Sequence, residues 1–301
     1  MRPTLVAIVG PTAVGKTEIG VQLAERFASD IISADSRQMF RELKVGTALP
    51  SPEQLSRVKH HFIGNLSLND YYNVSMFEQD VLTLLSELFV KNPVVFMVGG
   101  STLYIDAVFH GIDDLPTVDQ DLRQELQKQY LNQGIEFLRM KLKMLDPEYY
   151  QRVDLKNPNR LLKAIEISLM TGKPYSSLLT ATSRERDFRI IKIGLNKERE
   201  ELFSQINLRV DQMFDEGLEE EAKSLYPYRA LNSLNTVGYK ELFQHFDGLI
   251  TIDEAKELIK RNTRNYAKRQ LTWFKRYKDL EWFSPLQTAE ISEFIKTKLN
   301  E

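Results

Sequence analysis

The chain has 301 residues, 42% hydrophobic and 27% charged, enough to bury a large core and to form one big domain plus a smaller one. It has no cysteine, which excludes disulfides and cysteine-based zinc sites, and four scattered histidines, which disfavour a histidine-built metal centre. The net charge of −2 taken alone argues against a nucleic-acid partner, and no apolar run approaches the roughly 18 residues that span a bilayer, so a cytoplasmic protein without membrane contact is expected.

Near the start, the apolar run from Thr4 to Val9 leads into Gly10-Pro11-Thr12-Ala13-Val14-Gly15-Lys16-Thr17, the G-x-x-x-x-G-K-[ST] pattern of a phosphate loop. Strand, loop and helix are expected there. The glycines let the backbone curl so that successive N–H groups face one anion, and the following helix points its positive end at the same place. Lys16 adds a full charge, and the Thr17 hydroxyl is placed to ligate a Mg²⁺ that bridges phosphate oxygens. The pattern implies a bound di- or triphosphate without implying ATP hydrolysis.

Ile19, Leu23 and Phe27 form a helical stripe, and Asp30-Ile31-Ile32-Ser33-Ala34 reads as a second strand ending at Asp35. In open parallel sheets ligands bind beyond the carboxyl ends of strands, so Asp35 falls near the phosphate loop. It is there either a metal-holding or proton-accepting carboxylate or a simple loop and helix cap. His60-His61 precede Phe62-Ile63, read as another strand; neighbouring strand residues face opposite sides, so the pair is read as polar packing and not as a chelate. Residues 93–98 have the continuous apolar character of a buried parallel strand and end in Gly99-Gly100-Ser101 before a helix from Thr102. Nucleotide hydrolases of this architecture place a metal-binding Asp at such a strand end. Gly99 stands there instead, which weakens the ATPase reading and leaves Asp35 as the best acid.

From about residue 113 to 187 the alternation of strands and helices stops, and the pattern is that of an inserted helical subdomain. Helices are expected over residues 120–128 and 135–145, with Pro147 closing the second, and over a stretch that opens at Pro158 and stops at Gly172. Arg160 and Lys163 lie about one turn apart on it. Residues 189–195 read as an alternating strand returning to the main sheet, and residues 198–225 as two helices broken at Gly217. Arg199 and Arg209 stand among apolar residues there, as structural ion pairs or as cations reaching the phosphate site. Residues 256–278 carry nine Lys or Arg against one Glu, a local charge of +8. On a helical projection Lys260, Arg261, Arg264, Lys268, Arg269, Lys275 and Arg276 cover one half, with Ile259, Tyr266, Trp273 and Tyr277 on the other. A half-cylinder of cations without interleaved acids favours a nearby polyanion, so nucleic-acid contact is preferred over a merely solvated face.

These stretches together resemble the bacterial tRNA dimethylallyltransferase family, also called tRNA isopentenyltransferase or IPP transferase. The resemblance rests on residues 10–17; Asp35-Ser36-Arg37-Gln38-Met39-Phe40-Arg41 with Gly46-Thr47-Ala48; His60-His61; Gly99-Gly100-Ser101-Thr102-Leu103-Tyr104; Asn157-Pro158-Asn159-Arg160-Leu161; Gly172-Lys173-Pro174; Ile193-Gly194-Leu195; Arg209-Val210-Asp211-Gln212-Met213; Val237-Gly238-Tyr239; and Lys268-Arg269-Gln270-Leu271-Thr272-Trp273. It implies transfer of a dimethylallyl group from dimethylallyl diphosphate to the N6 amine of the adenosine next to the anticodon. By the same resemblance the catalytic residues are Asp35 as general base with Lys16 and Arg209; Gly10, Pro11, Thr12, Ala13, Val14, Gly15, Lys16 and Thr17 bind the diphosphate, and Thr17 holds Mg²⁺. The anticodon stem-loop would meet Asp35, Ser36, Arg37, Gln38, Ser101, Arg123, Asn159, Arg160, Lys163, Lys268, Arg269, Gln270 and Arg276. Asn159-Arg160-Leu161-Leu162-Lys163 departs from the family's frequent Gln-Arg-x-x-Arg, and Ser101 replaces a common Thr.

The expected fold is α/β: a P-loop NTPase-like parallel sheet flanked by helices, with an inserted small helical domain. Residues 1–113 would form the first part of the core, 114–187 the tRNA-binding insertion, and 188–301 the second part with the basic C-terminal helices. A monomer is expected. The rival readings are a nucleotide-type small-molecule kinase, which would use the same loop on ATP, and a non-catalytic RNA-binding protein with a vestigial loop.

Overall fold

The computed structural model describes residues 2–113, 115–117, 119–180 and 184–301. In chain order the elements are β1 (Thr4–Val9), α1 (Lys16–Arg26), β2 (Ile31–Ala34), α2 (Pro52–Arg57), β3 (His60–His61), α3 (Val74–Lys91), β4 (Val94–Gly99), α4 (Thr102–His110), α5 (Gln120–Gln133), α6 (Ile135–Leu145), α7 (Pro147–Arg152), α8 (Pro158–Thr171), α9 (Tyr175–Leu178), β5 (Arg189–Leu195), α10 (Arg199–Asp215), α11 (Leu218–Leu225), α12 (Tyr239–Phe246), α13 (Ile252–Phe274), β6 (Leu280–Phe283) and α14 (Thr288–Asn300). The described chain divides into two units, residues up to 109 with 185–301, and residues 110–184. Residue 114, taken above as the first of the insertion, lies outside the described residues.

The larger unit is built on a six-stranded sheet in the order β3-β2-β4-β1-β5-β6, with every pairing parallel. Every residue of β1 and β4 is buried, as a parallel strand covered on both faces requires. Successive side chains go to opposite sides. Val6, Ile8, Phe96 and Ile193 pack with α1, α10 and α14, while Leu5, Ala7, Val95 and Met97 pack with α3 and α4. A third apolar cluster joins Phe40 and Leu43 to α11, α12 and the first half of α13 through Leu218, Ala222, Tyr239 and Ile259. The smaller unit has its own core, in which Leu138 and Leu142 of α6 meet Leu161 and Ile165 of α8. Among the described residues no helix is long and apolar enough to cross a membrane.

Several local expectations are corrected. The third strand is His60–His61 itself, paired with Ile31 and Ile32, because Phe62 takes φ +63° and leaves the sheet. Both histidines serve structure: His61 Nε2 lies 2.8 Å from the Asp30 carboxylate and His60 Nδ1 2.8 Å from the Val58 carbonyl. Pro147 does not close α6 but opens α7, since the fully buried Asp146 caps that helix by accepting the Tyr149 N–H at 2.8 Å. The strand β5 does not alternate; its last five residues are all buried because it lies second from the edge with both faces covered. Gly99 has a steric reason: a Cβ there would sit 2.2 Å from the Ala34 carbonyl oxygen, so β4 cannot carry an acid at that point.

Candidate active site

The loop between β1 and α1, the segment after β2 and the turn after β4 all emerge at the carboxyl edge of the sheet, where parallel sheets bind ligands. A cleft of about 600 Å³ opens there. Its wall brings Lys16, Thr17, Asp35, Arg209 and Arg269 together from four separate parts of the sequence.

Lys16 is not the free surface charge that a loop position suggests. It is half-buried, and its ammonium donates to the Pro11 carbonyl at 2.8 Å. Burial first, and the Arg209 charge second, pull its pKa down to about 7 against an opposing pull from Asp35. Burial likewise holds the Arg209 guanidinium below its usual range, while Asp35 and Glu216 favour its charge. The two cations lie in the same cleft close enough to perturb one another, with Asp35 as the nearby acid. Arg209 thus reaches the cleft, whereas Arg199 is exposed and lies over the Phe203 ring, 5.3 Å from its centroid.

Asp35 follows β2 and is half-buried. Its Oδ1 accepts the backbone N–H groups of Arg37 at 2.9 Å and Gln38 at 3.4 Å, and Oδ2 has no hydrogen-bond partner among the described residues. One oxygen therefore orients the carboxylate, and the residue lies in the lining of the cleft. Of the two readings left open for Asp35, the cap of the local turn is observed directly, and its place in the cleft lining leaves the carboxylate within reach of a ligand there. Next to it, the Ser36 N–H donates to Ser101 Oγ at 2.9 Å, which ties the two strand ends together. Tyr266 of α13, placed by the projection on the half opposite the cations, lines the cleft, its hydroxyl pushed up to about 12 by burial and then by Asp35. It stays a proton donor and not an anion.

Two glutamines expected among RNA contacts turn out to brace the site. Gln38 receives the Ser33 hydroxyl hydrogen bond on its Oε1 and donates its amide to the Thr47 and Ala48 carbonyls at 3.2 and 3.1 Å. Gln270 is 3% exposed; its Oε1 accepts the Thr12 N–H at 2.9 Å and its Nε2 donates to the Gly100 carbonyl at 2.8 Å. Their amides are engaged by the protein's own groups, backbone in all but the Ser33 bond.

The basic helix is also less uniform than its projection. Asp211 of α10 interleaves with it, taking both Lys256 and Lys260 at 2.9 Å. The helix ends at Phe274, so Lys275 and Arg276 follow in a turn closed by the Arg276 N–H to Trp273 carbonyl bond at 3.1 Å. Lys268 is exposed over the Phe203 ring, Arg269 lies over Tyr266, and Arg276 lies 4.4 Å from the Trp273 centroid. In the smaller unit, Arg123 forms a two-pronged pair with the fully buried Glu166 at 2.6 and 2.7 Å. Asn159 and Arg160 are exposed on the first turn of α8, and burial lowers the pKa of half-buried Lys163.

Sheet order, phosphate loop and cleft define a P-loop protein that lacks the acid of nucleotide hydrolases at the end of β4. The model of the IPP transferase family matches residues 38–277, and the chain belongs to that family. It is 53% identical to tRNA dimethylallyltransferase 1 of Phocaeicola vulgatus, with 98% of each chain aligned. It is 56% identical to tRNA dimethylallyltransferase 2 of Parabacteroides distasonis over 98% of this chain and 99% of the other. Among solved structures it superposes with TM-score 0.73 on the full-length tRNA isopentenylpyrophosphate transferase of Bacillus halodurans, 38% identical, covering 99% of this chain and 97% of that one.

Proposed function

We propose that the protein transfers a dimethylallyl group from dimethylallyl diphosphate to the N6 amine of the adenosine next to the anticodon of tRNA. The observation that carries this reading is the single cleft in which a diphosphate grip, Lys16, Thr17 and Arg209, opposes a base with a free oxygen, Asp35. The N6 nitrogen attacks the allylic carbon as its bond to the diphosphate oxygen breaks. Charge then moves onto the leaving diphosphate, where Lys16 and Arg209 stabilise it by preorganised electrostatics. The proton released by the amine goes to Asp35. The adenine leaves its stack to reach this cleft, at a cost of a few kcal/mol offset by pocket contacts.

The Thr17 hydroxyl, a hard oxygen in the cleft lining, is the group that would hold a Mg²⁺. When bound, that ion would neutralise diphosphate charge. Ser36, Arg37, Lys268, Arg269 and Arg276 are the tRNA-contacting side chains of the larger unit, and Asn159, Arg160 and Lys163 those of the insertion. We further assign the protein to the cytoplasm as a monomer.

A kinase is disfavoured by the sterically excluded acid at Gly99, and an inert RNA-binding module by the depressed Lys16 placed beside Asp35. Labelled dimethylallyl diphosphate with total tRNA, run beside an ATPase assay, tests the reading. Label in tRNA without ATP turnover is expected; ATP turnover, or neither activity, overturns it.

A further inference from the structure

A carboxylate that no sequence motif singled out holds down one wall of the cleft. Glu221, on α11, accepts three consecutive backbone N–H groups: Lys44 and Val45 on Oε2 at 3.0 and 2.9 Å, and Gly46 on Oε1 at 2.9 Å. The fully buried Tyr239 donates its hydroxyl to the same Oε1 at 2.7 Å. Hydrogen bonds to a carboxylate are shorter and about twice as strong as neutral ones, so the three from residues 44–46 fix the loop and the one from Tyr239 fixes the carboxylate. The fit leaves no slack: a Cβ on Gly46 would lie 2.5 Å from the Tyr239 oxygen.

The loop so held is part of the cleft. Gly46, Thr47 and Ala48 line it, and Ala48 is kept at φ +46°, a left-handed conformation that a residue with a side chain adopts only when its surroundings overdetermine it. Those surroundings are Glu221 on one side and the Gln38 amide on the other. Gln38 itself lies three residues from Asp35. The phosphate loop is braced elsewhere, by Gln270. The two walls of the cleft therefore have separate anchors.

We infer that Glu221 is a positioning residue for the acceptor side of the reaction: through the segment at residues 44–48 it sets the wall against which the RNA base is received, and it leaves the diphosphate side alone. This rests on the prenyl-transfer reading above.

The test uses the full-length protein with Glu221→Ala, Glu221→Gln and Tyr239→Phe. Glu221→Ala is expected to raise KM for an anticodon stem-loop RNA or to lower kcat by tenfold or more, with Kd for dimethylallyl diphosphate measured without RNA within twofold of wild type. Glu221→Gln, which keeps an acceptor oxygen, should recover part of the loss, and Tyr239→Phe, which removes one of four bonds, should lose least. Amide exchange at Lys44, Val45 and Gly46 should quicken in the same order. Wild-type turnover reports on the prenyl-transfer reading independently. Unchanged RNA kinetics in a folded Glu221→Ala protein, or equal losses for both ligands, would overturn the assignment; should that variant fail to fold, the Glu221→Gln and Tyr239→Phe measurements decide by the same criteria.

Discussion

The Thr12 amide of the phosphate loop ends on the side chain of Gln270, 258 positions later in the chain, at 2.9 Å. The same side chain donates to Gly100 at the end of β4. The helix that carries the exposed cations Lys268 and Arg269 is thereby tied to the loop between β1 and α1.

Replacing Gln270 with Leu keeps the volume and removes both bonds, leaving a buried N–H and a carbonyl unsatisfied. Such groups cost about 1–3 kcal/mol each. Urea unfolding should show a loss of that order, and the affinity for inorganic pyrophosphate should fall with it. A Gln270→Leu protein with wild-type stability and pyrophosphate affinity would show that the loop holds its shape unaided.

Lys16 supplies a pH signature. Its pKa lies at about 7 in the folded chain against an ordinary value of 10.5, so between these limits the unfolded state binds more protons. Stability from this group therefore rises with pH from about 7 to 10.5, and Lys16→Met should flatten that rise while abolishing prenyl transfer. A bound diphosphate raises the pKa again, so at pH 8 binding should take up a proton that binding at pH 6 does not. Calorimetry in buffers of different ionisation enthalpy measures it. Lys16→Arg, always charged, should show only the ligand's own proton change; wild-type uptake equal to that of the arginine variant would refute the perturbed lysine.

Asp35→Asn keeps hydrogen bonds to the Arg37 and Gln38 amides through its carbonyl but cannot accept the amine proton. Loss of a general base costs about 10²–10⁴ in rate. Single-turnover transfer should fall by that factor while RNA affinity stays within a few-fold. Turnover above a tenth of wild type would demote Asp35 to a positioning role.

Much of this was legible in the chain, and the rest was not for identifiable reasons. Short patterns whose spacing is itself physical, residues 10–17 and the apolar run before Gly99, mark their own structure. Contacts between distant segments leave no such mark: nothing near Glu221 announces the backbone of residues 44–46, and nothing near Asp211 announces Lys256 and Lys260. Side-chain partners are the clearest case. A polar side chain read in isolation, as with Gln38, Gln270 and Arg123, looks available for RNA, and only the fold shows the partner that has already taken it.

The last prediction concerns the basic helix, where tertiary partners divide one stripe of cations into two classes. Lys256 and Lys260 share Asp211, and Lys260 also pairs with Glu257 at 3.2 Å, so two acids face these two cations before any RNA arrives. Lys268 and Arg269 lie over the aromatic rings of Phe203 and Tyr266, which orient their heads without neutralising them. Each phosphate contact releases condensed counterions, with a log–log salt slope of roughly 0.7–0.9 per contact. Replacing Lys268 and Arg269 with Gln should thus weaken tRNA binding and flatten the slope by about 1.4–1.8, twice that single-contact value. The same replacement at Lys256 and Lys260 should change the slope by well under half as much. Dimethylallyl diphosphate binding should be unaffected by the second pair. Filter-binding titrations over about 50–200 mM salt distinguish the pairs; equal slopes for both double variants would mean that Asp211 does not set the division and that the helix acts as an undifferentiated positive face.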